Sequence, residues 1–368
     1  MRFLIITQVP HYWVKEKLFS YRPYVKEINL WIDKADTLEI IAPIDHSPKG
    51  IEQAYQSKPL QLNAIPNFHI NNAFAVLKTL FLLPYLLFKM ITACSKADHI
   101  HLRCPGNVGL LGVLVQFLFP SKIKTVKYAG NWDPKSRQPW SYKLQQKLLR
   151  SKCCKNMKVL VYGDWKEKAS QIVPFFTATY SNKDARHIDI RKKEELRLLF
   201  VGVLAEGKRP LEVLKTYQWL LEKYNRPIGL HFCGKGTEER SLRDYVKANT
   251  IEGVTFHGNL DQESLQEQYQ KADFLLSPSK SEGWPKVVAE AMWWGCIPVT
   301  TDVSCLAFIL GDDERGFLVS PQFNQIGQTV LNALSNPVKL EQMRIDASLW
   351  SRQYTLEKFG EEIKALVV

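Results

Sequence analysis

The chain has 368 residues, 45% hydrophobic and 23% charged, an ordinary globular composition too long for one compact core, so about two domains are expected. Residues 1–180 carry 25 Lys and Arg against 11 Asp and Glu, net +14, whereas residues 181–368 carry 24 against 26, net −2. The basic half points to nucleic acid, an anionic membrane surface or an anionic substrate.

At the N-terminus, Arg2-Phe-Leu-Ile-Ile-Thr7 lacks the pattern of a cleaved leader and reads as a first strand. The runs 37–42, 99–102, 122–128 and 158–162 are further strands of the first half, with helices predicted over 74–91, 108–119 and 142–152. Residues 79–88 are uncharged but few and contain Pro84; residues 104–121 are bounded by Pro and Ser. Both read as packed helix rather than membrane span. Residues 1–178 form the expected first domain. The stretch 179–195 lacks a sustained period and reads as a linker.

The second half alternates more clearly. Strands are predicted at 196–201, 228–232, 254–256, 273–276, 297–300 and 317–319. Helices are predicted at 210–223, 238–247, 264–270, 286–294, 324–335, 337–350 and 355–366. The second domain is expected over 196–352, with 353–368 as a C-terminal helix that packs back on the first domain. Strands alternating with helices imply two doubly wound, Rossmann-like α/β domains facing a central cleft, where ligands bind beyond the strand C-termini. The seven cysteines are scattered without metal-ligand spacing, which fits reduced thiols in the cytoplasm.

Ala272 to Thr300 is the richest stretch. A Ser/Pro/Gly loop leads to Pro285, placed where a helix begins, so first-turn amides are expected to form an anion site. Glu282 precedes that turn and Glu290 lies eight residues further on; both carboxylates are expected on one side of the site. Gly295 and Pro298 read as the helix stop. Glu282 alone would read as a charge partner of a helix N-terminus, and Glu290 alone as a solvated group or an i,i+4 partner of Lys286. Their spacing in this loop–Pro–helix setting favours the functional reading.

Glu282-x7-Glu290, within Ser-Glu-Gly-Trp-Pro…Ala-Glu-Ala-Met…Gly…Pro-Val, resembles the signature of glycosyltransferase family 4. These are retaining, nucleotide-sugar-dependent enzymes of the GT-B fold. Leu199 to Lys208, His231 to Gly236 and Val254 to Leu260 resemble that family's strand–loop units, so residues 196–320 carry the likeness. The resemblance implies that Glu282 hydrogen-bonds the donor sugar, Glu290 holds the ribose hydroxyls and Lys208 neutralises the diphosphate. It implies that the amides of Trp284, Lys286 and Val287 cradle the sugar-phosphate end, and that Gly258 lies near the base. Gly202 and Gly283 complete the implied donor set. Where many relatives carry Arg, five residues before the lysine, this chain has Val203; Arg209 or Lys286 is the candidate replacement cation. Thr7-Gln-Val-Pro-His-Tyr-Trp13 replaces the usual Gly-rich turn, and no histidine matches the one often found after a first-domain strand.

In the first half, Arg103, Asn131 and Asp133 follow strands and are further catalytic candidates. Arg103 could equally pair with an acidic neighbour, and His11 is a weaker candidate. His257 reads equally as structural or base-contacting, Gly234-Lys-Gly236 as a turn, and Trp293 and Trp294 as packing residues. No Asp-x-Asp is present, so no metal is expected. The implied reaction displaces a nucleoside diphosphate from C1 of the donor sugar by an acceptor hydroxyl, with retention. The expected partners are a nucleotide sugar, a glycan or lipid-linked acceptor and an anionic membrane surface, at the cytoplasmic face of the membrane. Residues 140–158 and 74–91 are the two candidate membrane helices. Nucleic acid is not expected, since no reader motif appears. A catalytically silent subunit of the same fold is the alternative; a dinucleotide oxidoreductase is disfavoured because no strand–Gly-x-Gly-x-x-Gly–helix unit is present.

Overall fold

The computed structural model describes residues 1–33, 35–45, 52–56, 60–68, 73–187 and 195–367. The chain divides into two compact units, Met1–Phe175 with Phe359–Val368, and Phe176–Lys358. The expected linker 179–195 falls in part outside the described residues.

The first unit contains β1 (Arg2–Ile6), β2 (His11–Val14), β3 (Lys17–Tyr21), α1 (Arg22–Trp31), β4 (Thr37–Pro43), β5 (Glu52–Ala54), β6 (Leu60–Ile65) and α2 (Ala73–Lys96). It continues with β7 (His99–Cys104), α3 (Asn107–Val115), β8 (Ile123–Tyr128), α4 (Trp140–Leu149), β9 (Met157–Tyr162) and β10 (Ile172–Phe175). Seven strands pair in parallel in the order β10-β9-β8-β7-β1-β4-β6. Phe3 to Ile6 are buried because helices cover both faces of the sheet, which is why these strands read as unbroken apolar runs.

Three features add to the sequence reading or decide within it. Residues 11–21, to which the sequence assigned no element, form the antiparallel hairpin β2–β3, which pairs on with β5. Helix α2 runs on to Lys96 with Pro84 inside it. Its ring lies on the exposed side of the helix, away from the core. Arg103, read either as a catalytic candidate or as the partner of an acidic neighbour, takes the second role: it pairs with buried Glu27 of α1 and lies 5.4 Å over the Tyr24 ring. That salt bridge keeps a buried guanidinium paired.

The second unit contains β11 (Leu196–Val201), α5 (Pro210–Lys223), β12 (Ile228–Cys233), α6 (Glu239–Ala248), β13 (Val254–Gly258), α7 (Gln262–Lys271) and β14 (Phe274–Ser277). It continues with α8 (Lys286–Trp293), β15 (Ile297–Thr301), α9 (Leu306–Leu310), β16 (Phe317–Val319), α10 (Phe323–Leu334) and α11 (Pro337–Ser351). A last helix, α12 (Leu356–Leu366), begins in this unit and belongs to the first from Phe359 on. Its six parallel strands are ordered β13-β12-β11-β14-β15-β16. The chain moves outward from β11 through β12 to β13, then returns to lay β14 on the other side of β11. That reversal leaves a crevice beyond the ends of β11 and β14, the place where open α/β sheets bind ligands.

Candidate active site

Two loops meet at this switch point. One follows β11 and carries Gly202 to Arg209; the other follows β14 and carries Pro278 to Pro285. They are fastened by four contacts. Lys208 forms a salt bridge with Glu282, and Lys280 with Glu206. The Lys280 amide donates to the Gly207 carbonyl at 2.8 Å, and Arg209 Nη1 donates to the Pro278 carbonyl at 2.9 Å. Lys208 ends a short 3-10 turn, and Arg209 follows it with a φ of +52°, a left-handed conformation uncommon for a residue with a side chain. The turn directs Lys208 to Glu282 and Arg209 to Pro278. Arg209 is thus engaged with a loop carbonyl, and Val203, 58% exposed, supplies no charge.

The ends of β11, β12 and β13 approach each other through glycine. The Gly202 amide donates to the Cys233 carbonyl at 3.0 Å, and the Gly234 amide to the Gly258 carbonyl at 2.7 Å. A Cβ on Gly234 would sit 1.9 Å from the Gly202 carbonyl oxygen, and one on Gly236 2.2 Å from that of Leu204. These two glycines therefore let the strand-end loops pack, beyond the simple turn read from sequence. A Cβ on Gly202 would meet nothing within 4 Å, so its surroundings are open.

Pro285 precedes α8 by one position and serves as its N-cap, with φ −78° and ψ 77°. These angles make an inverse γ-turn, in which the Lys286 amide donates to the Trp284 carbonyl at 2.9 Å. The expectation that this amide points freely at a ligand is corrected accordingly. Behind the loop, Ser304 Oγ donates to the Gly283 carbonyl at 2.8 Å and Thr301 Oγ1 to the Ser279 carbonyl at 2.5 Å. The end of β15 thereby anchors the Glu282 loop from below. Trp284 is buried edge-on against Tyr354, with ring centroids 5.8 Å apart, while Lys286 and Val287 are half-buried.

Glu290 lies on α8. Its two oxygens accept from Thr179 Oγ1 at 2.8 Å and from the Tyr269 hydroxyl at 3.0 Å. Burial raises its pKa above the ordinary carboxylate range, partly opposed by Thr179, Lys286 and Tyr269. Tyr180 packs beside it against Trp293 and Trp294, at 5.2 and 5.4 Å. Thr179 and Tyr269 were not singled out from sequence. Thr179 lies 111 residues from Glu290, within the stretch read as a linker, and no local signal marks it. His257 stacks on His231, with Nε2 3.0 Å from Nδ1, and Arg197 also reaches His231 at 3.2 Å. Burial, then Arg197 and His257, lower the His231 pKa to about 4.

In the first unit, Asn131 Oδ1 accepts from the Asp133 amide at 2.9 Å, and Asp133 Oδ1 from the Lys135 amide at 2.8 Å. Both side chains shape the loop after β8 through local turns. His11 is buried, with Nε2 2.7 Å from the Tyr55 hydroxyl and Nδ1 2.8 Å from the Val9 carbonyl. Gln8, in place of a Gly-rich turn, accepts the Val108 amide of α3 at 3.0 Å. Among the described residues no group of three His, Cys, Asp or Glu side chains is placed to hold a metal ion.

Residues 182–350 match the family described as glycosyl transferases group 1. The matched segment holds both loops and both glutamates. The chain is 32% identical over 183 residues to an uncharacterized glycosyltransferase of Haemophilus influenzae, covering 48% of this chain and 50% of that one. Identity to the lipopolysaccharide 1,6-galactosyltransferase of Escherichia coli is 25% over 170 residues, 44% of this chain and 47% of that one. The chain thus spans about half the length of these relatives. Among solved structures, Anabaena Alr3699/HepE in complex with UDP and glucose superimposes with a TM-score of 0.69 at 12% identity, covering 99% of this chain and 98% of that one. Sucrose-phosphate synthase from Thermosynechococcus elongatus gives 0.63 at 19% identity, covering 100% and 98%. The fold is GT-B. The two doubly wound units expected from the alternation of strands and helices are those of this fold, and the GT-B crevice of the second unit holds the candidate site.

Proposed function

We propose that the second unit binds a nucleoside-diphosphate sugar and that the protein transfers the sugar to an acceptor hydroxyl. The observation that carries this is the pair of fastened loops at the switch point, which presents Lys208 against Glu282 and leads into α8, where Glu290 lies half-buried. In the reaction, the bond from sugar C1 to the diphosphate oxygen breaks and one from C1 to the acceptor oxygen forms. The acceptor proton passes to the leaving diphosphate. Lys208 meets the charge that develops on the leaving group, Glu282 takes sugar hydroxyls, and Glu290 accepts from the ribose diol. No metal is needed for that neutralisation.

The finer reading is a family 4 hexosyltransferase acting with retention, supported by the Glu282-x7-Glu290 spacing in this sequence. Both glutamates have protein partners, Lys208 for Glu282 and Thr179 and Tyr269 for Glu290, which a donor's hydroxyls would replace. The first unit takes the acceptor, a glycan or lipid-linked sugar of surface polysaccharide or lipopolysaccharide assembly, at the cytoplasmic face of an anionic membrane. The chemistry named for the Escherichia coli relative and the ligands of the Anabaena structure support this direction. The engagement of Arg209 with Pro278 and the exposed Val203 favour one alternative, a silent subunit that binds nucleotide without transfer.

The test is thermal stabilisation by a panel of nucleoside diphosphates and their sugars, followed by mass spectrometry of products. Saturation at about 100 times Kd stabilises by about 2.7 kcal/mol. No response to any nucleoside diphosphate would reject the donor site, and binding without turnover on any acceptor would favour the silent subunit. Glu290→Ala is expected to weaken nucleoside diphosphate binding about 10- to 100-fold, the loss of charge-assisted hydrogen bonds of about 1.5–3 kcal/mol. Unchanged affinity in calorimetry would remove the ribose assignment.

A further inference from the structure

Helix α2 carries apolar side chains on both of its faces. The inner face places Leu86, Met90, Ala93 and Cys94 in the buried core of the first unit. The outer face leaves Leu77, Leu80, Phe81, Tyr85, Phe88 and Ile91 exposed, Phe81 at 80% and Phe88 at 71%. Positions 77, 81, 84, 85, 88 and 91 recur every three or four residues, so they form one stripe along the helix. The neighbouring helix α3 and the turn after it expose Leu114 and Leu118 as well. The α2 stripe amounts to on the order of 600 Å² if a fully exposed large side chain offers about 200 Å². Monomeric soluble proteins rarely expose a contiguous apolar patch of that size without a use for it.

Within the helix the charges are of one sign. Lys78 and Lys96 are exposed on α2, Lys89 donates to the Ala64 carbonyl at 2.8 Å, and the helix contains no Asp or Glu. We infer that this face docks on a bilayer with anionic headgroups, α2 lying in the interface plane with its outer side chains at the acyl boundary and Lys78 and Lys96 among the headgroups. The inference rests on the membrane reading proposed above and assigns it to one face.

Charge selects lipid as the occupant. The lysines exposed on the helix are complementary to an anionic surface and sit on the half with net +14, and a lipid surface needs no matching shape. Crossing the membrane is a different matter. Leu77–Lys96 is long and apolar enough for it by length and composition, but its inner face belongs to the sheet core and a spanning helix would strip that core. The second candidate helix, α4, does not offer such a face. It buries Ser141, Gln145, Gln146 and Leu149, packs Leu148 on the core, and exposes Trp140 as its one large apolar side chain. Arg150 at its end is held by Glu167 and stacks on Trp132.

The test is co-sedimentation of the full chain with vesicles of phosphatidylcholine containing about 30% phosphatidylglycerol. Wild type should bind, less so to phosphatidylcholine alone. F81S/F88S should bind at least about tenfold more weakly with an unchanged melting temperature, as both side chains face outward, and L114S/L118S should show a smaller loss. K143S/K147S on α4 should bind within about twofold of wild type. Binding by F81S/F88S equal to wild type, or loss of binding in K143S/K147S, would overturn the assignment while leaving the membrane reading intact. No binding by wild type to either vesicle would overturn both. A concentration-dependent dimer that F81S/F88S dissociates, without vesicle binding, would show that the face joins copies of this chain and would also overturn the proposal.

Discussion

Lys208→Ala should lower kcat/KM for the nucleotide-sugar donor about 100- to 1000-fold, the range found when one preorganised stabiliser of developing charge is removed. The leaving diphosphate gains charge as its bond to C1 breaks, so a cation held in place beforehand acts mainly on the transition state. Here the fold holds it. The 3-10 turn ending at Lys208 is clamped by Lys280 on Glu206 and by the Lys280 amide on Gly207. Val203 is uncharged and Arg209 is turned to the Pro278 carbonyl, whereas Lys208 is held in the loop by Glu282. The same substitution strips part-buried Glu282 of its ion-pair partner, and a loss of about 1–3 kcal/mol of stability should accompany it. The two effects separate in Lys208→Ala combined with Glu282→Gln, which should recover stability without recovering rate. Lys208→Arg should retain part of the rate. A Lys208→Ala enzyme with wild-type kcat/KM would remove the residue from the mechanism.

Moving from pH 7 to pH 5 should destabilise the first unit by about 4 kcal/mol through two histidines alone. His11 and His99 are buried, and burial lowers each to about 4. For His11 the Val9 carbonyl opposes that shift in part. Unfolding restores the ordinary value of about 6.5. Between those values the unfolded chain holds a proton that the folded one refuses, so stability falls as pH drops below about 6.5 and levels off under about 4. At pH 5 each site costs about 2 kcal/mol. His101 adds in the same direction, since burial and then Arg103 and His99 keep it well below the ordinary range. His99 and His101 share one hydroxyl, that of Thr125, at 2.8 and 2.9 Å, and Phe3 stacks on His99 at 4.8 Å. A proton there would place a charge in a buried site where Glu27, the carboxylate that acts on His101, is already paired with Arg103. Glu290, whose pKa is raised, works the other way and partly offsets the loss in the second unit. Urea unfolding at the two pH values checks the expectation: equal midpoints would contradict it, and His99→Gln should flatten the pH dependence.

Most strands of the two parallel sheets were legible because helices cover both faces, although the edge strands β6 and β10 were not read. Leu196–Val201 and Ile228–Cys233 are mostly apolar, and turn residues bracket them. Strands β2, β3 and β5 were not legible. They make a small sheet whose Trp13, Val14 and Tyr21 stay exposed, so no sustained alternation marks it. Helix α1 was missed for a related reason: its first turn contains no acidic residue and its N-cap is Tyr21, which leaves Pro23 as a start signal without a polar cap.

The sequence by itself determined the doubly wound α/β pattern, the charge asymmetry and the positions of Glu282, Glu290 and Lys208 in their loops, because these depend on local periodicity, composition and spacing. Only the tertiary structure decided which side chains meet. Lys208 finds Glu282 across 74 residues and Glu290 finds Thr179 across 111, pairings that depend on strand order rather than on neighbours in the chain. It also decided which of two basic, apolar helices keeps a bare face. On α4 the amides of Gln145 and Gln146 turn inward to hydrogen-bond partners, whereas α2 is apolar all round and the sheet can cover only one side of it.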